Sequence, residues 1–171
     1  MEKSGGFDIS KATMGSKIVG IAGILLIIDS FLGWQKACVS DIVGGLTGIP
    51  NVCVHASAWG GDGGWAGTIM GILLIVLVIW EVVQLAGMAS NVNLPIAPSK
   101  GSAYLGFAVA AFGVIKFIIV LISDFKPTLF AWIGLVLIIG VGYGSWMKFQ
   151  EPETAAPPAA GAGGDTGGFT A

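Results

Sequence analysis

Ala103-Tyr-Leu-Gly-Phe-Ala-Val-Ala-Ala-Phe-Gly-Val-Ile-Lys-Phe-Ile-Ile-Val-Leu-Ile122 holds one charge, Lys116, in twenty residues. At 1.5 Å of rise per residue a helix of that length covers about 30 Å, the thickness of a bilayer hydrocarbon core. A lysine held that deep in lipid is costly and needs a partner, a water-lined cavity or a task. The reading of the chain works outward from this stretch.

The composition points the same way. The chain is 54% hydrophobic and 11% charged, with a mean hydropathy of +0.86. Soluble domains carry roughly 25% charged residues, so most of this surface must face lipid. The net charge is -2 and all the cations are lysines without a basic cluster, which sets nucleic-acid binding aside. The longest polar stretches, Gln35–Gly64 and the tail after Phe149, are too short for an aqueous domain.

Three further apolar runs accompany the first. Met1–Ser16 reads as a short cytoplasmic segment and Lys17–Trp34 as a span. That span is retained rather than a secretory signal, because Asp29 sits near its end and no small-x-small cleavage site follows. Residues 35–64 form an outer loop, 67–86 a second span, 87–102 a polar loop, 103–122 the third span and 129–147 the fourth. Between the last two, Ser123–Thr128 is a turn in which Pro127 suits a helix start. Residues 148–171 form a cytoplasmic tail, rich in Pro, Ala and Gly after Glu151, with the composition of a disordered segment.

Placing the N-terminus inside leaves Lys3, Lys11, Lys17, Lys100 and Lys148 cytoplasmic and only Lys36 and Lys126 outside, as the positive-inside rule requires. Trp34, Trp59, Trp65, Phe130 and Trp132 ring the outer edge in this arrangement, and Tyr104, Tyr143, Trp146 and Phe149 the inner. Short connections make neighbouring spans antiparallel. The expected fold is therefore all-α: an integral-membrane, up-down-up-down four-helix bundle in the bacterial cytoplasmic membrane, with both termini cytoplasmic. Its close contacts are expected at small-xxx-small pairs, Gly67 with Gly71, Gly140 with Gly144 and Ser16 with Gly20. A stripe of Ala103, Gly106, Ala110 and Gly113 adds to these on the third span. Packing within the bundle is the reading for all of them, ahead of dimerisation.

Several residues are candidates for chemistry. Cys38 and Cys53 share the outer loop, and in an oxidising compartment such a pair forms a disulfide. The rival is a metal site of Cys38, Cys53, His55 and Asp62, whose Cys-x-His spacing is not a standard ligand pattern. Gly60-Gly61-Asp62-Gly63-Gly64 lacks the lysine and hydroxyl that a phosphate loop needs, and reads as a flexible turn. Asp29, Glu81 and Lys116 are charges within spans. By helix rise Asp29 lies about 18 Å and Lys116 about 20 Å from the inner edge, so those two are expected to pair. Glu81 lies only about 9 Å from that edge, shares a face with Gln84, and is expected to reach the inner headgroups.

Asp29-Ser30-Phe31-Leu32-Gly33-Trp34, Ala56-Ser57-Ala58-Trp59 and a basic residue late in the third span resemble a group of small, uncharacterised bacterial four-span membrane proteins. An Asp-x-Phe-Leu-Pro-Trp segment typifies that group; here Gly33 replaces the proline, and the cysteine pair is not part of its pattern. The resemblance covers residues 17–147 and implies a fold and a membrane address, with no activity attached. A tryptophan and two cysteines in the first outer loop also faintly resemble claudin-like proteins, without their Gly-Leu-Trp segment.

The chain has no nucleophile–base constellation, so the first expectation is a non-enzymatic accessory subunit or scaffold that works by packing in the lipid bilayer. It would join a larger membrane complex or associate with itself, and needs no cofactor. Proton or small-ion transport through the intramembrane charges is the alternative, and an outer-loop metal or ligand binder the third.

Overall fold

The computed structural model describes residues 12–38, 53–86 and 98–151. Most of the N-terminal segment, the middle of the outer loop, most of the polar loop and the expected tail disorder lie outside them.

Helix α1 runs from Met14 to Ser30. It starts three residues before the expected span because Thr13 caps it, its Oγ1 accepting the Ser16 N–H at 3.2 Å. It stops at Ser30, short of Trp34, because the chain turns out and pairs. The N–H of Leu32 closes the last turn on the Asp29 carbonyl at 3.0 Å, and Gly33–Cys38 then becomes strand β1. Strand β2, Cys53–Ser57, lies antiparallel to β1, with Cys38 opposite Cys53 and Lys36 opposite His55. Strand β3, Lys126–Pro127, covers the other edge of β1. The sheet order is β2-β1-β3.

The all-α expectation is thus corrected: a small three-stranded sheet caps one end of the helices. Pro127 does not open a helix. It sits on an edge strand, where its missing N–H costs no ladder bond. Thr128 is the cap residue before the next helix.

Helix α2 covers Gly64–Leu85, α3 Pro98–Ile122 and α4 Leu129–Gln150. Pro98 opens α3 five residues before the expected start, a position where proline's missing N–H would be unbonded anyway. Helix α4 runs past Met147 and takes Lys148 into the helix. Among the described residues, three helices are long and apolar enough to cross a membrane: α2, residues 99–122 of α3, and α4. With 17 residues α1 is the shortest, about 25 Å by helix rise.

Each helix packs against two others: α1 lies beside α4 and α2, and α3 beside α4 and α2. Consequently α1 and α3 are diagonal, as are α2 and α4. Val19, Ala22, Leu26, Met70, Leu74, Leu77, Val109, Ile138 and Val141 fill the centre. Outward faces are also apolar, with Ile24, Ile72, Ile118 and Val136 all exposed. A helix apolar on every side belongs in lipid or in a protein core.

The predicted packing glycines are used, though not all as expected. Gly144 faces Ile18 and Val19 of α1 and Gly140 faces Ala22, so this pair makes the α1–α4 contact. Gly106 admits Ser145 of α4, and Gly113 admits Ile138 and the sulfur of Met70. Gly67 and Gly71 receive no helix: a Cβ there would collide with the Ala58 carbonyl and the Trp59 indole. The segment entering α2 folds back onto them. Gly20, expected to pair with Ser16, faces open space.

Candidate functional site: two buried polar centres

Polar side chains gather at the two ends of the apolar core. One centre, called outer after the expected topology and its counterpart inner, lies under the sheet. Asp29, buried near the end of α1, presents Oδ2 to Trp34 Nε1 at 3.0 Å, and the same indole N–H reaches the Asp29 carbonyl at 3.1 Å. Trp34 is completely buried, so it is no membrane-interface anchor. Gly134 of α4 makes room for both, since a Cβ there would come 2.7 Å from Asp29 Oδ2 and strike the indole. Ser30 Oγ donates to the Ile27 carbonyl at 2.7 Å and accepts from Trp59 Nε1 at 3.0 Å. The Ala58 N–H bonds the Ser30 carbonyl at 3.1 Å, and Phe31 stacks on Trp59 with centroids 5.6 Å apart. The Asp29–Trp34 and Ala56–Trp59 segments, which carried the sequence resemblance, therefore meet in one contact.

Lys116 belongs to this centre but does not meet Asp29. Its Nζ donates to the carbonyls of Gly60 at 2.9 Å and Asp62 at 2.5 Å. Gln35 grips the same turn, giving Nε2 to the Asp62 carbonyl at 2.8 Å and receiving the Asp62 N–H on Oε1 at 3.2 Å. Gly61 and Gly63 adopt φ of 64° and 70°, a left-handed conformation that glycine takes without a steric cost. The five-residue turn expected to be flexible is pinned from two sides. The expected Asp29–Lys116 pair is replaced by two separate anchors: Asp29 is held by Trp34 and Lys116 by the Gly60–Asp62 turn. Backbone acceptors carry no side-chain signature, so the sequence named the lysine and not its partners. Gln35 and Gly134 were missed altogether, the first for lying in a supposed loop.

The inner centre joins α2 to α4. Lys148 Nζ lies 2.5 Å from Glu81 Oε1 and 3.5 Å from Gln84 Oε1. Both members of the ion pair are almost wholly buried. Glu81 does not reach for headgroups, and Lys148 does not open a solvated tail. Each neutralises the other across the diagonal. The stem of Lys148 passes Gly15 of α1, where a Cβ would lie 2.7 Å from Lys148 Cγ. Oε2 of Glu81 is buried and has no hydrogen-bond partner among the described residues.

On the sheet, Cys38 and Cys53 form a disulfide between directly opposed strand positions. The thiols that the metal reading required are thereby consumed. His55 is exposed, packs over Gly33, and faces Lys36 across the strands. Comparison with protein-family models, curated proteins and solved structures finds no match.

Proposed function

We propose that this chain is a non-enzymatic, four-span protein of the bacterial cytoplasmic membrane, with both termini cytoplasmic and the sheet outside. In this reading it acts as an accessory subunit or scaffold, offering its apolar helix faces to a larger membrane complex or to a second copy. One observation carries the reading: the interior charges are bound by the chain's own structure. Lys116 and Asp29 hold the outer cap to the helix ends, and Lys148 with Glu81 ties α2 to α4. Charges used in this way specify one packing arrangement. The apolar exterior, including Ile24, Ile72 and Val136, fits lipid and neighbouring helices, and the lysine distribution supports the orientation.

Purification of the full chain in mild detergent, followed by mass spectrometry, tests the proposal. A stoichiometric partner or a defined homo-oligomer is expected; a strictly lone chain in native nanodiscs would sink it. Proton or small-ion passage is kept as a second reading because of the orphaned Glu81 oxygen. It requires flux in liposomes that is lost on changing Glu81 or Lys148.

A further inference from the structure

Glu81 Oε2 has no hydrogen-bond partner among the described residues, although its sister oxygen is held by Lys148. A buried carboxylate oxygen without a donor is rare in a folded protein and calls for an explanation. Lys148 already supplies the compensating charge, so a metal cation would add an unbalanced positive charge in a low-dielectric site. A neutral hydrogen-bond donor suits this oxygen better, and water is the smallest such donor.

Its direction of entry follows from the geometry. Glu81 is four residues from the end of α2 and Lys148 two from the end of α4, about 6 Å and 3 Å from the inner ends by helix rise. Toward the outside, Met70, Leu74, Leu77, Val109, Ile138 and Val141 form an apolar plug, all wholly or almost wholly buried. Gln84 lies on the inner side of the pair, one helical turn beyond Glu81 on the same face.

We infer that Glu81, Lys148 and Gln84 form a blind water-binding site that opens to the cytoplasm, with Glu81 Oε2 as its deepest acceptor. The site hydrates the ion pair from one side only. It is a dead end and not a pore, because the apolar plug separates it from the outer centre. The inference rests on the membrane placement proposed above and not on the scaffold role.

Thiol accessibility tests it. The chain has two cysteines and both are in the disulfide, so an introduced cysteine is the only free thiol. In oriented vesicles the variants Lys17→Cys and Asp124→Cys, at exposed positions near opposite ends, report the two aqueous sides. If they do not label from opposite sides, the membrane placement fails before the site is examined. Given that they do, Glu81→Cys in a Lys148→Met background, which removes both charges together, is treated with a small impermeant thiosulfonate. Labelling from the cytoplasmic side alone is expected, at least tenfold faster than for Leu74→Cys in the plug. Gln84→Cys in the otherwise unaltered chain, which leaves the ion pair intact, should label from the same side. Labelling of position 81 from outside, or no faster than position 74 from either side, overturns the inference, as does a silent Gln84→Cys.

Discussion

Lys116 gives its ammonium protons to the carbonyls of Gly60 and Asp62, whereas Lys148 gives one to the carboxylate of Glu81. The two arrangements respond differently to deletion. Lys116→Met leaves the Gly60 carbonyl without its donor and loosens the turn, at a cost of about 1–3 kcal/mol. Asp29→Asn keeps an acceptor for Trp34 and should cost roughly 1 kcal/mol. Because these residues have separate partners, the double variant should show the sum of the two losses to within about 0.5 kcal/mol. Glu81→Gln and Lys148→Met should behave otherwise. Each alone strands a buried charge, at about 3–5 kcal/mol, while the double change should cost far less than their sum. Thermal unfolding of both cycles in detergent checks this. Strong coupling between Asp29 and Lys116 would contradict the geometry.

At the scale of elements, the outer cap is a folded unit attached to the helix ends. Its strands are tied by the disulfide, its turn by Gln35 and Lys116, and its Trp59 by Ser30 and the groove over Gly71. Intact-mass measurement without reductant should find the chain two hydrogens lighter than the dithiol form. Replacing both cysteines with serine should lower stability by about 2–4 kcal/mol, since a loop of this size is then free in the unfolded chain. Gly71→Leu attacks the same unit from the helix side. A side chain there displaces the Trp59 ring, and overpacking of this kind costs about 1–3 kcal/mol. The expected mark of that variant is a changed tryptophan emission spectrum with helix content kept in circular dichroism.

For the whole molecule, the arrangement to be tested is the orientation in the membrane. A reporter active only outside the cytoplasm should stay silent when fused after Gln150 and work when fused after Asp124, in the turn between α3 and α4. The reverse pattern would invert the proposed topology and the direction of access to Glu81.

The sequence by itself determined the apolar helices, their approximate ends, the disulfide, and some of the positions where glycine permits close helix approach. These follow from local rules: hydrophobic length, the chemistry of two thiols in one loop, and the absence of a side chain. It placed Gly144 and Gly113 at helix contacts correctly. It missed the sheet, since Gly33–Cys38 and Cys53–Ser57 are short and become strands by pairing with each other and with Lys126–Pro127. It also mistook the charge partners. Depth along a helix is one coordinate that sequence supplies, and it matched Asp29 to Lys116. The second coordinate, position around the ring of helices, exists only once the helices have packed. Packing together with the folded cap gave Asp29 to Trp34 and Lys116 to the Gly60–Asp62 turn, and brought Lys148 across a diagonal to Glu81.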